Sequence, residues 1–166
     1  IVKHLCFALM TLILLTLMSG AAHGAETFFQ DRFAIGLWVD PPLDETADAR
    51  YRELADANFT LVIGGFGGTG VEKVSQQLDL CQKYDLKLIA PSHGIAPEEL
   101  PVGPALWGYG LRDEPNAADF PDLRAEADAI RRVRPGKLCY INLFPNYANE
   151  RQLGTPTYDE HVRQFV

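Results

Sequence analysis

The residues best suited to chemistry stand together in Arg112-Asp113-Glu114-Pro115-Asn116. They follow an apolar run, Ala105 to Leu111 (ALWGYGL), with the composition of a strand buried on both faces. Pro115 stops the ladder because it has no N–H to donate, and Asn116 to Arg134 carries helical spacing. Charged groups at the end of a strand that feeds a helix lie where α/β barrels and open α/β sheets carry their chemistry. Glycoside hydrolysis needs two carboxyl groups, one protonating the leaving oxygen while the other attacks or activates water. The donor needs a raised pKa, from burial or from a neighbouring carboxylate. Glu114, with Asp113 beside it, fits that donor. Neighbours on a regular strand point to opposite faces, which puts Arg112 and Glu114 on one side and Asp113 on the other; a bulge would relax this assignment. The same Asp-Glu-Pro-Asn also suits a solvated turn that opens the next helix.

Other strand ends supply candidate contacts. Trp38, Phe144 and Tyr147 could stack on a sugar ring, and Asp40, Asn142, Asn146 and Asn149 could bond its hydroxyls. Trp38 and Phe144 serve a core equally well, and asparagines serve turns. His93 could touch substrate, orient Glu114 or be structural. Gly65-Phe66-Gly67-Gly68-Thr69-Gly70 matches G-x-G-x-x-G between a predicted strand and helix, a dinucleotide signature. Against it, the motif falls in the second βα unit, and no acidic residue ends the following strand at Ala90-Pro91-Ser92 to hold a ribose. The alternative is that these glycines let backbone pass close at a strand end.

The elements that must position these groups alternate. Strands are predicted over 32–39, 60–66, 86–90, 105–111 and 137–144, and helices over 44–58 (with Asp44 as N-cap), 71–84 and from Asp119 or Pro121 to Arg134. A single helical turn is expected at 97–100, a long polar loop over 145–157, and a further helix from Tyr158. Such alternation means parallel strands joined by crossovers. The expected fold class is α/β, a (β/α)8 TIM barrel represented by about five βα units, because every strand ends in polar or aromatic residues. An open doubly wound sheet, which concentrates function at one switch point, is the alternative.

Residues 1–24 read as a secretory signal peptide, with Lys3 and His4 before an apolar run and Ala22-His23-Gly24 at the cleavage site. The run is shorter than the roughly 20 residues of a membrane anchor, so a secreted or periplasmic protein without a stable anchor is expected, with residues 25–166 as the folded part. The chain starts at Ile1 and stops at Val166 within helical spacing, as a fragment of a longer frame would. Acidic residues outnumber basic ones, 22 to 15, with no basic run, which argues against a nucleic-acid partner. Cys81 and Cys139 read as buried thiols, and neither a metal motif nor a cofactor is expected apart from the glycine-rich alternative.

The segment Trp107 to Asn116, with Tyr140 to Tyr147 (YINLFPNY) at strand five, resembles the clan A glycoside hydrolases. The resemblance implies a retaining (β/α)8 enzyme acting on an oligosaccharide or polysaccharide, with Glu114 as acid/base and a nucleophilic Glu ending strand seven, beyond Val166. In that clan an Asn precedes the acid/base and contacts the sugar 2-hydroxyl. Here Asp113 stands in its place and can accept a hydrogen bond but offers no amide N–H. The alternatives are a non-catalytic carbohydrate-binding barrel and a nucleotide-binding oxidoreductase.

Overall fold

The structure, a computed structural model, describes residues 27–166, so the expected signal peptide lies outside the described residues. Five parallel strands form one sheet in sequential order: β1 (Gly36–Leu37), β2 (Leu61–Ile63), β3 (Lys87–Pro91), β4 (Leu106–Asp113) and β5 (Leu138–Asn142). The helices are α1 (Ala47–Asp56), α2 (Val71–Lys83), α3 (Phe120–Val133), α4 (Glu150–Leu153) and α5 (Tyr158–Phe165), with 3-10 turns at Pro97–Glu99 and Ala117–Asp119. Each strand lies beside its predecessor, so the reversal of order that defines a doubly wound switch point does not occur among the described strands.

The strand period of two sorts side chains onto two faces. Val62, Leu88, Ala90, Leu106, Tyr109 and Leu111 pack against Tyr51 of α1, Val74, Leu78 and Cys81 of α2, and Leu123, Ala127 and Ile130 of α3. Leu61, Ile89 and Trp107 form a separate cluster with Ile63, Tyr140 and Phe28, to which no helix contributes. The helices therefore cover one face only. Residues 27–31 close the N-terminal end of the other face: the Phe28 ring meets Trp107 edge-on at 5.7 Å, and Asp31 accepts from the Trp107 indole at 3.1 Å while pairing with Lys87 at 3.2 Å.

Several expected elements differ, among them β2, which stops at Ile63 short of the expected Phe66. The strand over 32–39 shrinks to Gly36–Leu37, because the side chain of Thr60 takes over its neighbours: it donates to Phe33 O at 2.7 Å and accepts from Ile35 N at 2.8 Å. Asp44 does not cap α1 but folds the turn before it, accepting from the Thr46 amide at 2.8 Å and hydroxyl at 2.7 Å. The polar loop over 145–157 contains α4, opened by a reciprocal cap between Asn149 and Gln152 and closed by Gly154 in the left-handed region. No helix among the described residues is long and apolar enough to cross a membrane.

Cys81 and Cys139 are free thiols, the first buried and the second half-buried. Burial, helped by the Asp40 charge, pushes the Cys81 thiol from its ordinary 9 up to about 12, and burial raises the Tyr51 phenol as well. Groups whose ionisation the fold suppresses stabilise it below their unfolded pKa and lose that contribution as pH rises. The urea midpoint should fall progressively from pH 9 towards pH 12, and Cys81→Ala should make that decline shallower than in the wild type.

Candidate functional site

The candidate site depends on how β4 leaves the sheet. Its pairing with β5 runs Gly110↔Tyr140, then skips Leu111 to continue Arg112↔Ile141 and Asp113↔Asn142. Leu111 is the extra residue of a bulge, and a bulge inverts the facing of everything beyond it. Partners across a parallel ladder share a face, so Arg112 goes with Ile141, which packs on the helix-side core, and Asp113 goes with Asn142. Arg112 and Asp113 thus take opposite faces, as expected of strand neighbours, but the bulge decides which: Asp113, not Arg112, lies on the face away from the helices. The Asn142 side-chain amide donates to Asp113 Oδ1 at 2.8 Å.

Glu114 is fixed by the same neighbour, its N–H donating to Asn142 O at 2.8 Å. Its φ is +46°, in the left-handed region, which costs an L-residue other than glycine about 1 kcal/mol or more. Pro115 biases its predecessor toward extended backbone, so the sequence does not favour this conformation locally. Asn116 then opens the next segment: its side chain accepts from Ala118 N at 3.0 Å and donates to Gln152 O at 3.0 Å, tying the loop to α4. The Glu114 side chain is exposed, and no described residue hydrogen-bonds or pairs with its carboxylate. Asp113, Glu114 and Asn142 thus form one hydrogen-bonded unit at the C-terminal edge of the sheet, with the Glu114 carboxylate uncommitted.

The remaining candidates are placed separately. Asp40 is only 3% exposed, and its carboxylate accepts from Phe66 N at 2.7 Å, from Gly67 N at 3.0 Å and from the Gln77 side chain, which also reaches the Tyr51 hydroxyl. It serves the fold and is closed to a ligand. Phe144 is half-buried with its ring centroid 6.4 Å from that of His161 in α5, so it packs toward a helix. His93, Asn146 and Tyr147 are exposed in the loops after β3 and β5, and Asn149 caps α4. Trp38 is partly exposed and lies edge-to-face with Phe66, their centroids 6.1 Å apart. Phe66 was not among the sequence candidates, although an aromatic between glycines at a strand end was a signal for it.

The glycine-rich loop is packed against its neighbours too closely for side chains at two positions. A Cβ on Gly67 would lie 2.2 Å from Pro41 O, and one on Gly64 would lie 2.6 Å from Gln77 Oε1. The Phe66 and Gly67 amides, which a phosphate would need, already hold the Asp40 carboxylate. Among the described residues no group of three or more His, Cys, Asp or Glu side chains could hold a metal ion.

A left-handed glutamate kept for stability and one kept for its carboxylate respond differently to replacement. Asn tolerates the left-handed region, so Glu114→Asn should unfold in urea at the same midpoint as the wild type or a slightly higher one. A clear drop in midpoint would mean that the glutamate side chain supports the fold.

Comparison of the chain with protein-family models, with curated proteins and with solved structures gives no match.

Proposed function

We propose that the chain forms the N-terminal part of a (β/α)8 carbohydrate-active hydrolase in which Glu114 is the general acid/base. The observation that carries the proposal is the backbone of Glu114: a non-glycine residue held in a costly conformation, ahead of a proline, with an uncommitted carboxylate at the C-terminal end of β4. Sequential strand order and helices on one face support the barrel, because a singly wound sheet of this kind curls toward its uncovered side.

In the proposed reaction Glu114 gives its proton to the glycosidic oxygen as the bond to the sugar breaks, then accepts a proton from the incoming water. A second carboxylate about 5–5.5 Å away attacks the anomeric carbon in a retaining reaction; the proposal assigns it to a later strand of the same barrel. Asp113 would orient the sugar. Its Oδ1 is held by Asn142, while no described residue donates to Oδ2, which leaves that oxygen to accept from a hydroxyl. Arg112, on the helix side, and Asp40 and Phe144, engaged elsewhere, are left out of the contact set; His93, Asn146 and Tyr147 remain as candidate contacts from the loops. Export through the N-terminal leader is part of the same proposal.

Glu114→Gln in the full-length protein should lower kcat by about 10²–10⁴ on glycosides with poor leaving groups. Activated aryl glycosides, which need no proton donor, should be cleaved far better by that variant than natural linkages are. Undiminished cleavage of poor leaving groups would overturn the assignment. The exposed Glu114 side chain also favours a second reading, a carbohydrate-binding barrel without catalysis, which predicts saturable glycan binding with no release of reducing sugar.

A further inference from the structure

Beyond the Asp113–Glu114–Asn142 unit, the same edge of the sheet carries a second built feature. Trp38, just after β1, and Phe66, in the loop after β2, come from positions 28 residues apart (66 − 38) and meet edge-to-face with 6.1 Å between centroids. Phe66 is 58% exposed and Trp38 37% exposed, so both rings present apolar surface to solvent. Scattered exposed aromatics need no explanation. A pair does when the fold goes to some length to hold it.

The backbone that carries Phe66 is held by a buried charge. Asp40 accepts from the amides of Phe66 itself and of Gly67, and its other oxygen takes the Gln77 amide, which in turn reaches the Tyr51 hydroxyl. Pro41 O presses on Gly67 so closely that no Cβ fits there. Burying a carboxylate costs several kcal/mol unless it is hydrogen-bonded, and the bonds that Asp40 accepts tie down the backbone that presents the ring. An exposed apolar ring on a backbone held in this way is suited to recognition.

We propose that Trp38 and Phe66 form a stacking platform for a pyranose ring, a subsite remote from Glu114; this rests on the carbohydrate reading above and extends it to the length of the substrate. The ends of β2 and β4 are two strand spacings apart, about 10 Å. A ligand that engages Glu114 and the platform together is therefore longer than one sugar ring. The substrate class is an oligosaccharide or polysaccharide chain, and a small glycoside would leave the platform empty. Aromatic faces meet the C–H faces of a pyranose, which matches a chain lying along the edge of the sheet.

The test compares Phe66→Ala and Trp38→Ala with the wild type in the full-length protein, on a short aryl glycoside and on a series of longer oligosaccharides. Each variant should lose about tenfold in kcat/KM on the longer chains, chiefly through KM, with the short substrate unaffected. Phe66→Tyr should restore the wild-type values. Equal losses on short and long substrates, or no loss on either, would overturn the platform. Quenching of Trp38 fluorescence separates the two proposals, because Trp107 is buried and Trp38 is partly exposed. Saturable quenching by oligosaccharides that Phe66→Ala abolishes, in a protein that hydrolyses nothing, keeps the platform and removes the hydrolase. Glu114-dependent hydrolysis indifferent to Phe66→Ala does the reverse. No quenching by any oligosaccharide overturns the platform.

Discussion

The arrangement at the C-terminal edge depends on one ladder, that between β4 and β5, continuing past its own bulge. Leu111 falls out of register, yet pairing resumes at Arg112↔Ile141 and Asp113↔Asn142, and the Glu114 amide still reaches Asn142 O. Without the resumption, the charged cluster would be an open turn. With it, Asn142 grips both its neighbours, through its side chain to Asp113 and through its carbonyl to Glu114. The left-handed backbone of Glu114 is affordable because a strand on the far side of the bulge holds it.

A second constraint operates two strands away and is electrostatic. The buried carboxylate of Asp40 organises the loop after β2 by accepting from its amides, and Gln77 and Tyr51 extend that network into α2 and α1. Gln77 Oε1 is buried without a partner among the described residues, so this network is not fully satisfied. The loop glycines read differently in this light. Their spacing copies a phosphate-binding signature, but the anion they wrap is part of the chain itself.

The two faces of the sheet are treated unequally. The helix side carries a continuous core, while the opposite face is covered at its N-terminal end by Phe28 and Asp31 and is apolar at Leu61, Ile89 and Trp107. Parallel strands are stable when both faces are shielded, and curling the sheet toward the uncovered face is the solution that the barrel proposal invokes.

Periodicity in the sequence determined most of the elements: α2 and α3 run within a residue or two of their expected limits, and the five strands occur where apolar runs stand, since helix and strand periods are local properties of the chain. It also determined that Asp113 and Glu114 end a strand. The helix at Glu150–Leu153 was written there as well, in the Asn149–Gln152 cap, but four residues carry too little periodicity to stand out from a polar loop. The tertiary structure alone decided which way those side chains go. The bulge at Leu111 arises from pairing with β5, Asn142 meets Asp113 across 29 residues, and Asp40 reaches Phe66 across 26 and Gln77 across 37. Facing and burial belong to contacts of that span, which no local window of sequence contains, and so the burial of Asp40, the facing of Arg112 and the exposure of Phe66 became visible only in the folded chain.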